Sequence, residues 1–114
     1  MPPLPNPPAL HEQFVRQHPS LGRAWELISE AGRDGPLDDE TARLVKLGVA
    51  MGAMREGAVH ASVRKALALG IDPKALHQVV ALAAGTLGLP ATAAVYSWVC
   101  ELLEPGGARA SDDA

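Results

Sequence analysis

Apolar positions recur at three- and four-residue spacing along most of the chain, and prolines and glycines cut that pattern into segments. Pro2, Pro3, Pro5, Pro7 and Pro8 predict an extended, poorly ordered entry over residues 1–8. A short helix is expected over residues 9–17, because Pro19 pushes His18 away from the α region. Ser20 is a candidate cap for a second helix with Leu21, Ala24, Trp25, Leu27 and Ile28 on one broad face, closed by the turn residues 32–36. Asp38 is the strongest cap candidate, with Asp39 and Glu40 in the first turn, where the helix dipole favours negative charge. That third helix carries Leu44, Leu47, Val49 and Met51 and ends or bends at Gly52. A fourth spans roughly residues 55–69, with Gly70 as its stop. Asp72-Pro73 opens a fifth, which reaches about Leu87, and Pro90 opens a sixth that ends before Pro105-Gly106-Gly107.

No stretch alternates with a period of two, and no Asn-Gly or Asp-Gly pair sits between β-branched runs. The expected fold is therefore all-α, one domain of about six helices over residues 9–104. An antiparallel helix pair is expected in its C-terminal half, and a mobile polar tail over residues 105–114.

Composition narrows the picture. Hydrophobic residues make up 47% of the 114, but aromatics only 4%, so the core has to be built from Ala, Leu and Val. Small-residue runs such as Ala81-Leu82-Ala83-Ala84-Gly85 suit close helix packing, and a chain this short is expected to complete its core by self-association. The net charge of -3 and the lack of a basic stretch argue against nucleic acid as a partner. Cys100 is the sole cysteine, so the chain has no internal disulfide, no Cys-x-x-Cys and no zinc-ligand spacing. That usage, with no basic and apolar leader at the start, points to a reducing, cytoplasmic setting. Residues 79–100 carry no charge and are long enough to span a bilayer. Gly88 and Pro90 interrupt them and no Lys or Arg cluster flanks them, so two buried helices joined by a tight turn are expected, with no membrane partner.

The segment Arg55-Glu56-Gly57-Ala58-Val59-His60 carries the best candidate chemistry. Glu56 and His60 are four apart and share a helix face, and a carboxylate beside an imidazole can move a proton near neutral pH. Arg64, one turn further, could hold a substrate carboxylate, and Gly57 leaves room for a ligand or a neighbouring helix. The competing interpretation is a solvated face with weak ion pairing. His11 and His18 are expected at the surface and His77 at the surface or the edge of the core. No convergent ligand set for a metal is evident. Cys100, beside Trp98 and Val99, reads as a small buried hydrophobe, and Trp25, Tyr96 and Trp98 as core or interface anchors.

The order of these signals is familiar. The helix opened by Leu37-Asp38-Asp39-Glu40-Thr41-Ala42-Arg43-Leu44, then Glu56-Gly57-Ala58-Val59-His60, the stop at Gly70, Asp72-Pro73-Lys74-Ala75-Leu76 and Gly88-Leu89-Pro90-Ala91 resemble the carboxymuconolactone decarboxylase and AhpD-like alkylhydroperoxidase superfamily over residues 36–103. The resemblance implies an all-helical AhpD-like fold assembled as a homotrimer or homohexamer. In the peroxidase branch a helix Glu precedes a Cys-x-x-Cys, and a His follows four residues after the second Cys. Aligned without gaps from Asp38 to Gly70, those positions hold Arg43, Arg55, Ala58 and Ser62. If the family His is placed on His60 instead, the cysteines fall on Ala53 and Glu56 and gaps are needed on both sides. The thiols are missing in either register, and peroxide reduction needs a thiolate, so antioxidant activity ranks last.

The decarboxylase branch, by the same resemblance, uses no metal or organic cofactor and acts on a small carboxylated lactone. Glu56 and His60 would then transfer the proton, and Arg43, Arg55 or Arg64 would anchor the acid. The alternative is a non-catalytic oligomeric interaction protein on the same fold.

Overall fold

A computed structural model describes residues 7–103; the expected polar tail and most of the Pro-rich entry lie outside the described residues. Within it are six helices and no strand: α1 (Pro7–Gln17), α2 (Pro19–Arg33), α3 (Asp39–Gly52), α4 (Glu56–Ala68), α5 (Pro73–Leu87) and α6 (Leu89–Leu103). They fall into two compact units, one ending at Pro36 and one beginning at Leu37.

In the first unit α1 packs on α2. Helix α1 begins at Pro7 rather than at Ala9, because a proline is tolerated in a first turn whose N–H groups lack helical partners in any case. Ser20 is not the cap of α2. Pro19 takes the first helical position, His18 is the capping residue, and the Gly22 N–H closes the first turn on the His18 carbonyl at 3.0 Å. Gly22 is buried, and a Cβ there would stand 2.7 Å from Val15 Cγ1, so its bare Cα is what lets α1 and α2 approach.

In the second unit the caps lie where the local chemistry puts them. Asp38 Oδ1 accepts the Thr41 N–H at 2.7 Å, and Asp72 Oδ1 accepts the Lys74 N–H at 2.9 Å with Pro73 at the first helical position. Helix α4 ends in a paired closure: the Gly70 N–H bonds to the Leu67 carbonyl at 3.0 Å and the Ile71 N–H to the Ala66 carbonyl at 3.1 Å. This requires a left-handed residue, supplied by Gly70 at φ 82, and it turns Ile71 into the core. Gly88, also at φ 82, is the whole connection between α5 and α6.

Leu47, Ala50 and Met51 of α3, Val59, Val63 and Ala66 of α4, Ile71 in the turn that follows it, Leu76 and Val80 of α5, and Val95 and Val99 of α6 form the buried core. No aromatic side chain is fully buried; Trp98 packs at its margin and Tyr96 is half exposed. The helices touch in a ring: α3 meets α4, α4 meets α6, α6 meets α5 and α5 meets α3. Four seams result, and each carries a different chemistry. Among the described residues no helix is long and apolar enough to cross a membrane.

Candidate active site

The α4/α6 seam holds the imidazole of His60. Its Nε2 lies 3.1 Å from Glu101 Oε2 on α6, within ion-pair range when the ring is protonated. The alignment falls short of a hydrogen bond, and Nε2 is closed off from solvent with no other protein partner. The ring is therefore held beside a carboxylate without its nitrogen being spent on a backbone group. Helix α4 places it there because Val59, Ser62, Val63 and Ala66 face the core, which leaves His60 on the flank toward α6. Glu101 itself is half exposed, so the pair contributes little to stability, about 0.2–1 kcal/mol.

Glu56 stands in the exposed first turn of α4 and forms no ion pair with His60. It favours the positive end of the helix dipole there. Arg55 is the exposed cap residue of α4 and gives no side-chain cap bond; its carbonyl accepts the Val59 N–H at 2.9 Å. Arg64 is exposed one turn beyond His60. Gly57 has open space where a side chain would be, so no neighbouring helix uses the room it leaves. The sequence pairing of Glu56 with His60 thus gives way to a tertiary pairing of His60 with Glu101. A negative residue late in α6 carries no local signal for this.

Arg43 lies elsewhere. It is on α3 and half-buried. Lys65 is five residues beyond His60, roughly 140° around a helix of 3.6 residues per turn, so the two residues point to opposite flanks of α4. Burial holds the Lys65 ammonium below the ordinary lysine value, and the charges of Arg43, Lys46 and Arg64 lower it further. No carboxylate among the described residues reaches these cations, and the Arg43 Nε is enclosed without a partner.

The other two seams hold no candidate acid or base of that kind. His77 meets Tyr96 across α5/α6 with ring centroids 5.7 Å apart, so it packs at an edge. Between α3 and α5 runs an apolar groove of about 550 Å³, lined among others by Leu44, Val45, Gly48, Val79, Leu82 and Leu87, with Thr41, Gln78 and Thr86 as its polar margin. Neither Glu56 nor His60 lines it. Cys100 is half-buried and free. Among the described residues no three His, Cys, Asp or Glu side chains converge as a metal site.

No curated protein and no solved structure matches this chain. The sequence profile of the carboxymuconolactone decarboxylase family matches residues 19–101, well over half of its length. With its six-helix, strand-free architecture, the chain belongs to the carboxymuconolactone decarboxylase family.

Proposed function

We propose that the protein is a cofactor-free lyase of the decarboxylase type, acting on a small carboxylated lactone as a homo-oligomer, with His60 as its proton-transfer group. The observation that carries this reading is the enclosed His60 Nε2 lying 3.1 Å from Glu101 Oε2. In such a reaction the bond to the departing carboxylate carbon breaks and carbon dioxide leaves. Its electron pair stays on the lactone carbon, and a proton must reach that carbon as the charge develops. An imidazolium held by a carboxylate supplies this proton. Glu101 steadies the imidazolium, Glu56 adds negative charge one turn away, and Arg64 or Arg55 on the same helix anchors the acid.

The experiment is turnover of carboxylated lactones, with carboxymuconolactone as the first probe, in heavy water. The reading expects carbon dioxide and a product with one deuterium on the carbon that lost the carboxylate. Absence of turnover across the panel would remove it.

A second reading, a non-catalytic oligomeric interaction protein, draws support from the α3/α5 groove. Val45 is 52% exposed and Leu82 73% exposed beside it, which leaves an apolar face uncovered in the single chain. Light scattering on Leu82→Asp separates the two. An assembly that dissociates, in a protein whose wild-type form turns over no lactone, favours this second reading.

A further inference from the structure

Helices α1 and α2 have no core of their own. Among residues 9–36 only Gly22 is buried, with Val15 and Ser29 half-buried. Leu10, Phe14, Leu21, Trp25 and Ile28 are all exposed. Helices of 11 and 15 residues are marginal in water, and so short a segment buries too little apolar surface to fold unaided. Yet the two pack together, Val15 against Gly22, and the two sides of the hairpin differ in chemistry. One side is a cleft of about 510 Å³ lined by Leu10, His11, Gln13, Phe14, Gln17 and Trp25, with no carboxylate, Lys or Arg in its wall. Trp25 lines it while remaining 59% exposed, its ring centroid 6.3 Å from that of His11. Leu21, Trp25 and Ile28, at four- and three-residue spacing, continue the apolar stripe along α2. The other side, around Val15 and Gly22, carries Glu12, Arg16 and Glu26. The hairpin is amphipathic, and its apolar face is open.

We propose that two copies of the chain meet through this face, hairpin on hairpin, closing a four-helix bundle about a two-fold axis. A second copy fits what the face presents. Trp25 is both a wall of the cleft and a largely exposed ring, so each copy's indole can fill the other's cleft and the contact is self-complementary. The cleft is lined without Lys, Arg or carboxylate, so two chains of net charge -3 meet there without like-charge repulsion. A face about 22 Å long and two helices wide buries on the order of 1,000 Å² over both copies, the lower end of a specific interface. Association in the micromolar range is therefore expected. This deepens the homo-oligomer part of the proposed function, on which it rests, and leaves the lyase chemistry untouched.

The test is sedimentation of the full chain across about 1–500 µM, with hydrogen exchange in α1 and α2 at both ends of that range. The wild-type chain is expected to assemble, and exchange in the two helices to slow as it does, because the partner completes their core. Trp25→Asp and Leu21→Asp should each weaken association at least about tenfold, halving the mass where the wild type is assembled. Glu12→Gln, on the charged side, should leave it unchanged. Slow exchange in α3 to α6 verifies folding; where Trp25→Asp fails this, Trp25→Ala takes its place. Native mass spectrometry of Trp25→Asp mixed with Leu82→Asp identifies the occupant. Hairpin on hairpin gives assemblies of Leu82→Asp alone, whereas a hairpin seated on the partner's α3/α5 groove gives assemblies containing both. A wild-type chain monomeric throughout, a mass indifferent to Trp25 and Leu21, or a mixed assembly would each overturn the proposal. The monomeric result also removes the homo-oligomer, the other two remove only this surface, and lyase chemistry is judged separately by turnover in heavy water.

Discussion

His60 Nε2 and Glu101 Oε2 stand 3.1 Å apart across the seam of α4 and α6, and the carboxylate is the more exposed of the two. If His60 is the proton-transfer group, as proposed, Glu101 is a positioning residue. In that role it orients the ring and steadies its charged form. Glu101→Gln keeps the shape and removes the charge. Turnover of a lactone substrate is expected to fall up to about fivefold in kcat with KM little changed, since one exposed ion pair is worth up to about 1 kcal/mol. A rise in KM at constant kcat would instead make Glu101 part of substrate binding.

Asp38 gives a pH prediction. Hydrogen bonds from Thr41, side chain and backbone, hold its carboxyl below the ordinary aspartate value. A depressed carboxyl stabilises the fold above its unfolded value and loses that contribution as pH falls through its lower, folded value. Thermal melting between pH 5 and pH 2 should therefore show a loss in the wild-type chain that is smaller in Asp38→Asn, which still caps the helix but does not titrate. Identical acid profiles would show that the charge of the cap is irrelevant.

The helices of the second unit were legible because their ends are chemical. Asp38, Asp72-Pro73, Gly70 and Gly88 mark boundaries by hydrogen bonding and backbone freedom, which act within a few residues. Ser20 misled because Pro19 beside it occupies the first helical position better than a serine caps. The site was legible only in half. His60 stands out by residue type, but Glu101 meets it only through the packing of α6 on α4, and periodicity carries no such information. Arg43 stands out in the sequence as a candidate anchor, but only the fold shows that it sits on α3, away from the helix that carries His60.

Two glycines should respond oppositely to alanine. At Gly22 the new methyl meets a stiff, β-branched Val15 at 2.7 Å, so an overpacking loss of about 1–3 kcal/mol outweighs a helix-propensity gain of about 1. Gly57 has open space and sits inside α4, so Gly57→Ala should stabilise by about 0.5–1 kcal/mol. Hydrogen exchange in α1 and α2 reads the first, and urea unfolding reads the second. Equal responses would show that backbone propensity alone governs both positions.

Leu47 is wholly buried at the centre of the core, among side chains from all four helices of its unit. Leu47→Ala should destabilise by about 2–5 kcal/mol, and the urea midpoint measures it. A loss below about 1 kcal/mol would mean that the aromatic-poor core collapses around the cavity.

His60 is proposed to deliver the proton. This is tested most directly by the rate at which His60→Gln releases carbon dioxide from a lactone that the wild-type chain decarboxylates, both proteins being equally folded. A fall of about 10²–10⁴-fold is expected, the usual worth of a positioned general acid. Equal rates in the two proteins would contradict it.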